Sequence, residues 1–177
     1  ARGADQANAD AAIQTVMRHL QESIDNAREL TVDLCPPILY DLGLGPAVDW
    51  LAERMEEAHG ISVEFTDDGR PKPLASEMRT ILYSGTRELL TNIVKHAHAR
   101  RVWIDLRRED DAVVLAVEDD GVGFSGGVRG KGTGFGLANI RERMRHLGGG
   151  MEIEANTAGG TRITLRAPAL KQLENNP

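Results

Sequence analysis

VEDDGVGFSGGVRGKGTGFGLANIRERM, residues 117–144, runs from the end of an alternating apolar stretch, through a dense run of glycines, into a helical pattern. Between Gly121 and Gly136 there are eight glycines in sixteen residues, with Arg129 and Lys131 among them. Asp119 stands at a predicted strand end. Gly121 and Gly123 behind it let the backbone turn close to a ligand, which suits a pocket for a base or sugar. Taken alone, D-x-G-x-G is weak, because turns are rich in Asp and Gly anyway. The continuation is more specific. GTGFGLANI (132–140) leads straight into a helix, and amides left free by glycines at a helix N-terminus form an anion site favoured by the helix dipole. A floppy linker would not usually open a well-patterned helix. No G-x-x-x-x-G-K-[ST] occurs, so this is not a P-loop. Nor does the run Gly132 to Gly136 follow a strand, as a dinucleotide fingerprint does.

Working outward, AVVLAVE (112–118) pairs with RVWIDLR (101–107) across a polar EDD turn as a hairpin. A helix is predicted from Phe135 to His146, then a second hairpin of MEIEA (151–155) and TRITLRA (161–167). Upstream, ISVEF (61–65) alternates like a half-buried strand, and DDGRPKP (67–73) reads as a turn. One long helix is predicted over 74–96, with Leu74, Met78, Ile81, Leu82, Leu89 and Ile93 on its apolar side. Pro46 suits the first turn of a helix reaching Glu57, after a short turn ILYDLGLG. Five strands under two long helices make a two-layer α/β sandwich. Ahead of it, Ile13, Met17, Leu20, Ile24, Ala27, Thr31 and Leu34 recur at alternating spacings of four and three. That heptad seam suits an antiparallel helix pair or four-helix bundle, and Pro36-Pro37 ends it.

Composition narrows the function. With 21 Lys and Arg against 27 Asp and Glu, the net charge of −6 argues against nucleic acid as the main partner. The single cysteine, Cys35, excludes an internal disulfide framework and a four-thiolate zinc site, and fits a reducing compartment. No stretch approaches the roughly 18 consecutive apolar residues of a membrane span, and no signal peptide is visible.

On the long helix, Glu88, Asn92, Lys95 and His96 fall at i, i+4, i+7 and i+8, one face of a regular α-helix. A carboxylate, a carboxamide and two potential cations can together hold a metal through Asn92, orient a proton acceptor through Glu88 and meet anionic oxygens. A plain solvated face with an i,i+4 pair stands beside that reading. For His96 and His98 a metal site is weak, since no third His or Cys is placed nearby.

The helix E-x-x-x-N-x-x-K-H, then D-D-G-V-G-F after a strand, then G-T-G-F-G-L into a helix form an ordered set. In that order the sequence resembles the ATP-binding domain of two-component sensor histidine kinases, within the GHKL superfamily of Bergerat fold. RELLTNIVKHAHA (87–99) resembles the N box, VEDDGVGF (117–124) the first glycine box and GTGFGLANIRERMRHLGG (132–149) the second. LCPPILYDLGLGPAVDWL (34–51) looks like the nitrate/nitrite-sensor subfamily. The resemblance covers residues 30 to 168. It implies ATP and Mg²⁺ as cofactors, with Asn92 on the metal and Glu88 positioning or polarising the phosphoryl acceptor. Lys95 and His96 would face phosphates and sugar. Asp119 matches the aspartate that accepts from the exocyclic amino group of adenine. Gly121 and Gly123 would wall the adenine pocket, and Gly134 and Gly136 would cradle phosphates. Lys131 of the lid and Leu137 belong to the same binding set. Thr161 matches the threonine that supports adenine from the last strand. A lid over residues 125–133 is expected to be mobile without nucleotide.

Such a kinase carries a phosphoacceptor histidine on a dimerisation hairpin, usually followed by an acid. His19 is the one histidine on the heptad helix, and Leu20 and Gln21 follow it. The expectation is therefore that residues 1–35 are the second hairpin helix and that the acceptor lies upstream of Ala1. Residues 36–170 would be the ATP-binding domain, and 171–177 a disordered tail. Implied partners are ATP, the hairpin, a response regulator and, in the full-length protein, a second copy. A cytoplasmic location is expected of this fragment, with no nucleic-acid or membrane contact of its own. Two other classes stand beside this one. An anti-sigma serine kinase would lack the heptad helix and the LCPPILYDLGL segment. A non-catalytic nucleotide-binding or dimerisation module would have no need of Glu88, Asn92 and Asp119 together.

Overall fold

A computed structural model describes Met17 and residues 36–123, 135–156 and 159–170. The heptad seam (apart from Met17), His19, Cys35, the 125–133 lid with Lys131, Gly134 and the 171–177 tail lie outside the described residues. The chain divides into two units, Ala1–Pro37 and Ile38–Pro177, and the fold that follows is that of the second.

Pro37 opens a short helix α1, Pro37–Asp41, where the sequence suggested only a turn. Its fixed φ is already helical and its missing N–H is no loss in a first turn. Helix α2 runs over Leu44–His59, two residues longer at each end than predicted. It closes on Gly60 in the left-handed region (φ 67°), whose amide returns to the Glu56 carbonyl. Strand β1 is Ser62–Asp67 and helix α3 is Ser76–Asn92, followed by a π-helical turn over Ile93–Ala97. Strands β2 (Arg101–Glu109) and β3 (Ala112–Asp119), helix α4 (Phe135–His146), and strands β4 (Gly150–Ala155) and β5 (Thr161–Pro168) complete the order.

The five strands form one mixed sheet in the order β1-β2-β3-β5-β4. Only β1 and β2 are parallel, in a register that sets Phe65 beside Ile104, because α3 supplies the crossover that parallel strands need. The other pairs are antiparallel. The six apolar positions predicted for the long helix, Leu74, Met78, Ile81, Leu82, Leu89 and Ile93, are all buried. Tyr83 and Leu90 are buried as well, because α3 packs against both α2 and α4 in addition to the sheet. At Gly85 a β-carbon would stand 3.2 Å from Leu165, so the missing side chain lets the helix ride low on β5.

Strand β3 is buried over six successive residues, Ala112–Val117, which alternation alone does not explain. Val113, Leu115 and Val117 face the helices, while Val114 lies on the opposite face between Arg107 and Arg166 in the pairing register. Those arginines are held across that face by ion pairs. Arg107 pairs with Asp105 and Glu109, and Arg166 with Glu109 at 2.6 Å. Their aliphatic stems cover the apolar centre while the charges stay in water. No helix among the described residues is long and apolar enough to cross a membrane.

Candidate functional site

A cavity of about 190 Å³ opens between α3 and the ends of β3 and β5. That is below the roughly 300–1,000 Å³ of sites enclosing a drug-sized ligand, and it suits a flat fragment such as a base. Leu89, Ile93, Val117, Leu137 and Ile163 supply apolar walls, and Asn92, His96, Asp119, Gly123 and Thr161 supply polar or backbone groups.

Strand parity places the carboxylate. Asp119 continues the inward series Val113, Leu115, Val117 and is 3% exposed, the one buried acid among the described residues. The Gly121 amide donates to its Oδ1 at 2.8 Å, and the Thr161 amide also donates to the carboxylate. Burial pushes its carboxyl above the ordinary range and the neighbouring acids Asp120 and Glu118 add to this, while the two amides pull the other way. The carboxylate sits in a cavity that favours its neutral form, so a ligand donor there gains from restoring the charge. Thr161 takes the inward parity of β5 in the same way and is buried beside it.

The turn leaving β3 is shaped by close backbone approaches. At Gly121 a β-carbon would overlap the Ala97 carbonyl, and at Gly160 it would overlap the carbonyl of Asp119. Gly123 (φ 78°) and Gly160 (φ 93°) both adopt left-handed backbone, so two requirements for glycine coincide at Gly160.

The polar helix face differs from its prediction at one end. The Asn92 side chain donates from Nδ2 to Glu88 Oε1 at 3.4 Å, so these two share a face as expected. The π turn then breaks the regular count, since it takes more than four residues to come round. His96 lines the cavity, as a regular helix would also have it, and Ala97 joins it behind Asn92, whereas Lys95 is exposed and is not among the lining residues. Glu88 stands just outside the cavity against Gly136, and Leu137, the next residue, lines it. Gly121 shapes the floor without lining it. Of the apolar walls, Leu89 and Ile93 belong by sequence to the apolar side of the long helix, and Val117 and Ile163 only to predicted strands. The parity of Val117 with Asp119 and of Ile163 with Thr161 is the signal that places the two strand walls in the site.

Comparison with known proteins agrees with this geometry. Residues 77–171 match the family model of the histidine kinase-, DNA gyrase B- and HSP90-like ATPase. The chain is 33% identical over 156 residues to the oxygen sensor histidine kinase NreB of Staphylococcus carnosus, covering 88% of this chain and 44% of that protein. It is 34% identical over 160 residues to the sensor histidine kinase MctS of Rhizobium johnstonii, covering 87% of this chain and 34% of that protein. It thus spans less than half the length of these relatives. In fold it resembles the histidine kinase domain of the blue-light activated kinase from Erythrobacter litoralis EL346, with TM-score 0.57, 23% identity and coverage of 71% of this chain and 60% of that one. The ATP binding domain of PrrB from Mycobacterium tuberculosis is similar at TM-score 0.57 and 22% identity, over 72% of this chain and 94% of that one. With the family matched over more than half its length, the chain belongs to the histidine kinase-, DNA gyrase B- and HSP90-like ATPases, as an ATP-binding domain of the sensor histidine kinase kind.

Proposed function

We propose that this chain binds ATP with Mg²⁺ and transfers the γ-phosphoryl group to a histidine of a dimerisation hairpin, for relay to a response regulator. In this reading residues 36–170 are the catalytic domain and 1–35 a hairpin helix that pairs two copies. The buried Asp119 carboxylate, held by backbone amides at the floor of an apolar cavity, is the observation that carries it.

Adenine enters between Leu89, Ile93, Val117 and Ile163. Its exocyclic amino group donates to Asp119, supported by Thr161. Guanine offers a carbonyl at that position and would meet the carboxylate with like polarity. Asn92 turns its Nδ2 to Glu88, which leaves its carboxamide oxygen as the donor for a hard cation. Among the described residues no cluster of three His, Cys, Asp or Glu could hold a metal, so a divalent ion here would lean on Asn92, the phosphates and water. When bound, Mg²⁺ would neutralise charge on the transferring phosphoryl group. Glu88 accepts a hydrogen bond from the N–H of the acceptor imidazole and orients its other nitrogen for attack. Gly136, Leu137 and the amides of the first α4 turn meet phosphate oxygens, Lys131 would act from the lid, and Gly134 from the residues that follow it. His96, an exposed residue of the cavity lining, would meet the sugar. Lys95 would reach a phosphate only by extending from its exposed position.

The test is calorimetric titration of the chain with ADP and a non-hydrolysable ATP analogue, with and without Mg²⁺, beside GTP. Adenine-selective, Mg²⁺-assisted binding is expected. It should lose its Mg²⁺ dependence in Asn92→Ala and weaken in Asp119→Ala without loss of the fold. Equal affinity for GTP, or undiminished ATP stabilisation in Asp119→Ala, would overturn the adenine assignment. Phosphate recovered on an added hairpin would separate a kinase from a binder.

A further inference from the structure

Asp119 and Asp120 are consecutive, yet their carboxylates serve opposite sides of the same turn. Asp119 points into the cavity. Asp120 points away from it, and its Oδ1 accepts the amides of Arg100 at 2.7 Å and Arg101 at 3.0 Å. Its own amide donates to the Arg101 carbonyl at 3.3 Å, and the Val122 amide donates to the Ala97 carbonyl at 2.8 Å. These bonds join the turn after β3 to the segment that returns from the π turn into β2.

That returning segment needs an external tie. Between Ala97 and Arg101 the backbone belongs to no regular element, and His98 is held at φ 51° in the left-handed region. Directly upstream of it are Asn92, His96 and Ala97, one wall of the cavity; Asp119 and Gly123, across the tie, are the other. Gly121 brings the two backbones to contact, since a β-carbon there has no room beside the Ala97 carbonyl. The amides of Arg101 and Arg100 also hold the Asp120 carboxyl below its ordinary range, so it stays ionised as an acceptor where Asp119 has begun to take up a proton.

We propose that Asp120 is a positioning residue of the nucleotide site: by accepting the Arg100 and Arg101 amides it fixes the spacing between the Asp119 carboxylate and the wall formed by Asn92, His96 and Ala97. This rests on the ATP reading above and adds a determinant that does not itself touch the ligand. A carboxylate oxygen bridging two successive amides sets both the height and the tilt of the segment carrying them. The main-chain bonds of Asp120 to Arg101 and of Val122 to Ala97 tie the segment near its two ends and leave the Arg100 amide to the carboxylate.

The full chain and its Asp120→Ala and Asp120→Asn variants are titrated with ADP and with GDP well below their unfolding temperatures, and amide exchange is followed alongside. Asp120→Ala should weaken ADP on the order of tenfold, the scale of losing hydrogen bonds to a charged acceptor, while GDP changes little, so that selectivity narrows. The Arg100, Arg101 and Val122 amides should exchange faster. Asp120→Asn keeps an oxygen acceptor for the same pair and should recover most of the ADP affinity. Unchanged ADP affinity and selectivity in Asp120→Ala would overturn the proposal, as would an Asp120→Asn chain as weak as Asp120→Ala. So would ADP and GDP weakening together with faster exchange throughout the sheet. If the native chain binds no ADP, the nucleotide reading fails and this role with it; native binding with an unaffected Asp120→Ala chain removes this role alone.

Discussion

Gly136, in the first turn of α4, lies so close to Glu88 that a β-carbon on it would overlap the carboxylate oxygen Oε1. The polar face of α3 and the glycine-led helix are thus in contact where the proposed acceptor-orienting group stands. The neighbour that would have to give is the far end of a flexible side chain, so Gly136→Ala should fold. Its unfolding midpoint should stay within a few degrees of native, since alanine favours a helix by about 1 kcal/mol over glycine. Phosphoryl transfer to a supplied hairpin should fall by roughly tenfold or more as the carboxylate is pushed off its position. Thermal unfolding and a transfer assay on the same preparation separate the two effects.

Gly160 is a different case, because its obstruction is backbone. A β-carbon there meets the Asp119 carbonyl at a φ of 93°, so Gly160→Ala should cost about 2 kcal/mol or more and weaken nucleotide binding too. At Gly150, with open space and no left-handed φ, alanine should be neutral within about 0.5 kcal/mol. Denaturant unfolding of the two variants checks the contrast.

The raised carboxyl of Asp119 gives nucleotide binding an acid limb. ADP affinity should fall as the pH drops through the Asp119 pKa, beginning above the ordinary aspartate value of about 3.9. Between that unfolded value and the higher folded one, the folded state holds more proton, so Asp119 makes stability rise as the pH falls. Asp68 and Asp120 act in the opposite sense, since their folded values are lowered and their contributions are lost as the pH falls below about 3.9. Titration of ADP affinity against pH should show the limb in the native chain and lose it in Asp119→Asn.

Lys72 is nearly buried and donates from Nζ to Asp67 at 2.5 Å, Asp68 at 2.6 Å and the Arg70 carbonyl at 2.8 Å. Asp68 in turn accepts the Arg108 amide at 2.8 Å, which pins the β1–α3 connection to the end of β2. Lys72→Met should leave two facing carboxylates without their cation and destabilise the domain by about 2 kcal/mol. Burial by itself would raise the Asp68 carboxyl, but Lys72 and the Arg108 and Arg70 amides hold it well below the usual range, so it should rise in the variant. Chemical denaturation and NMR titration of the Asp68 carboxyl are the measurements.

Local patterning carried much of this molecule. Alternation along β3 and β5 determines that Asp119 and Thr161 point inward beside Val117 and Ile163, because strand side chains alternate strictly whatever lies around them. The apolar spacing from Met78 to Ile93 likewise determines which side of α3 meets the sheet, and the order of the three polar and glycine segments led to the family. Tertiary structure alone decided the rest. An unbroken helix over 74–96 would have kept Lys95 on the face of Glu88 and Asn92 together with His96; the π turn over Ile93–Ala97 keeps His96 at the cavity, adds Ala97 and leaves Lys95 outside. The meeting of Gly136 with Glu88, of Gly160 with Asp119, and of Asp120 with Arg100 and Arg101 joins residues far apart in the chain. Periodicity describes a residue's own element and its nearest turns, so it cannot specify which atoms a fold presses together across a sheet and two helices.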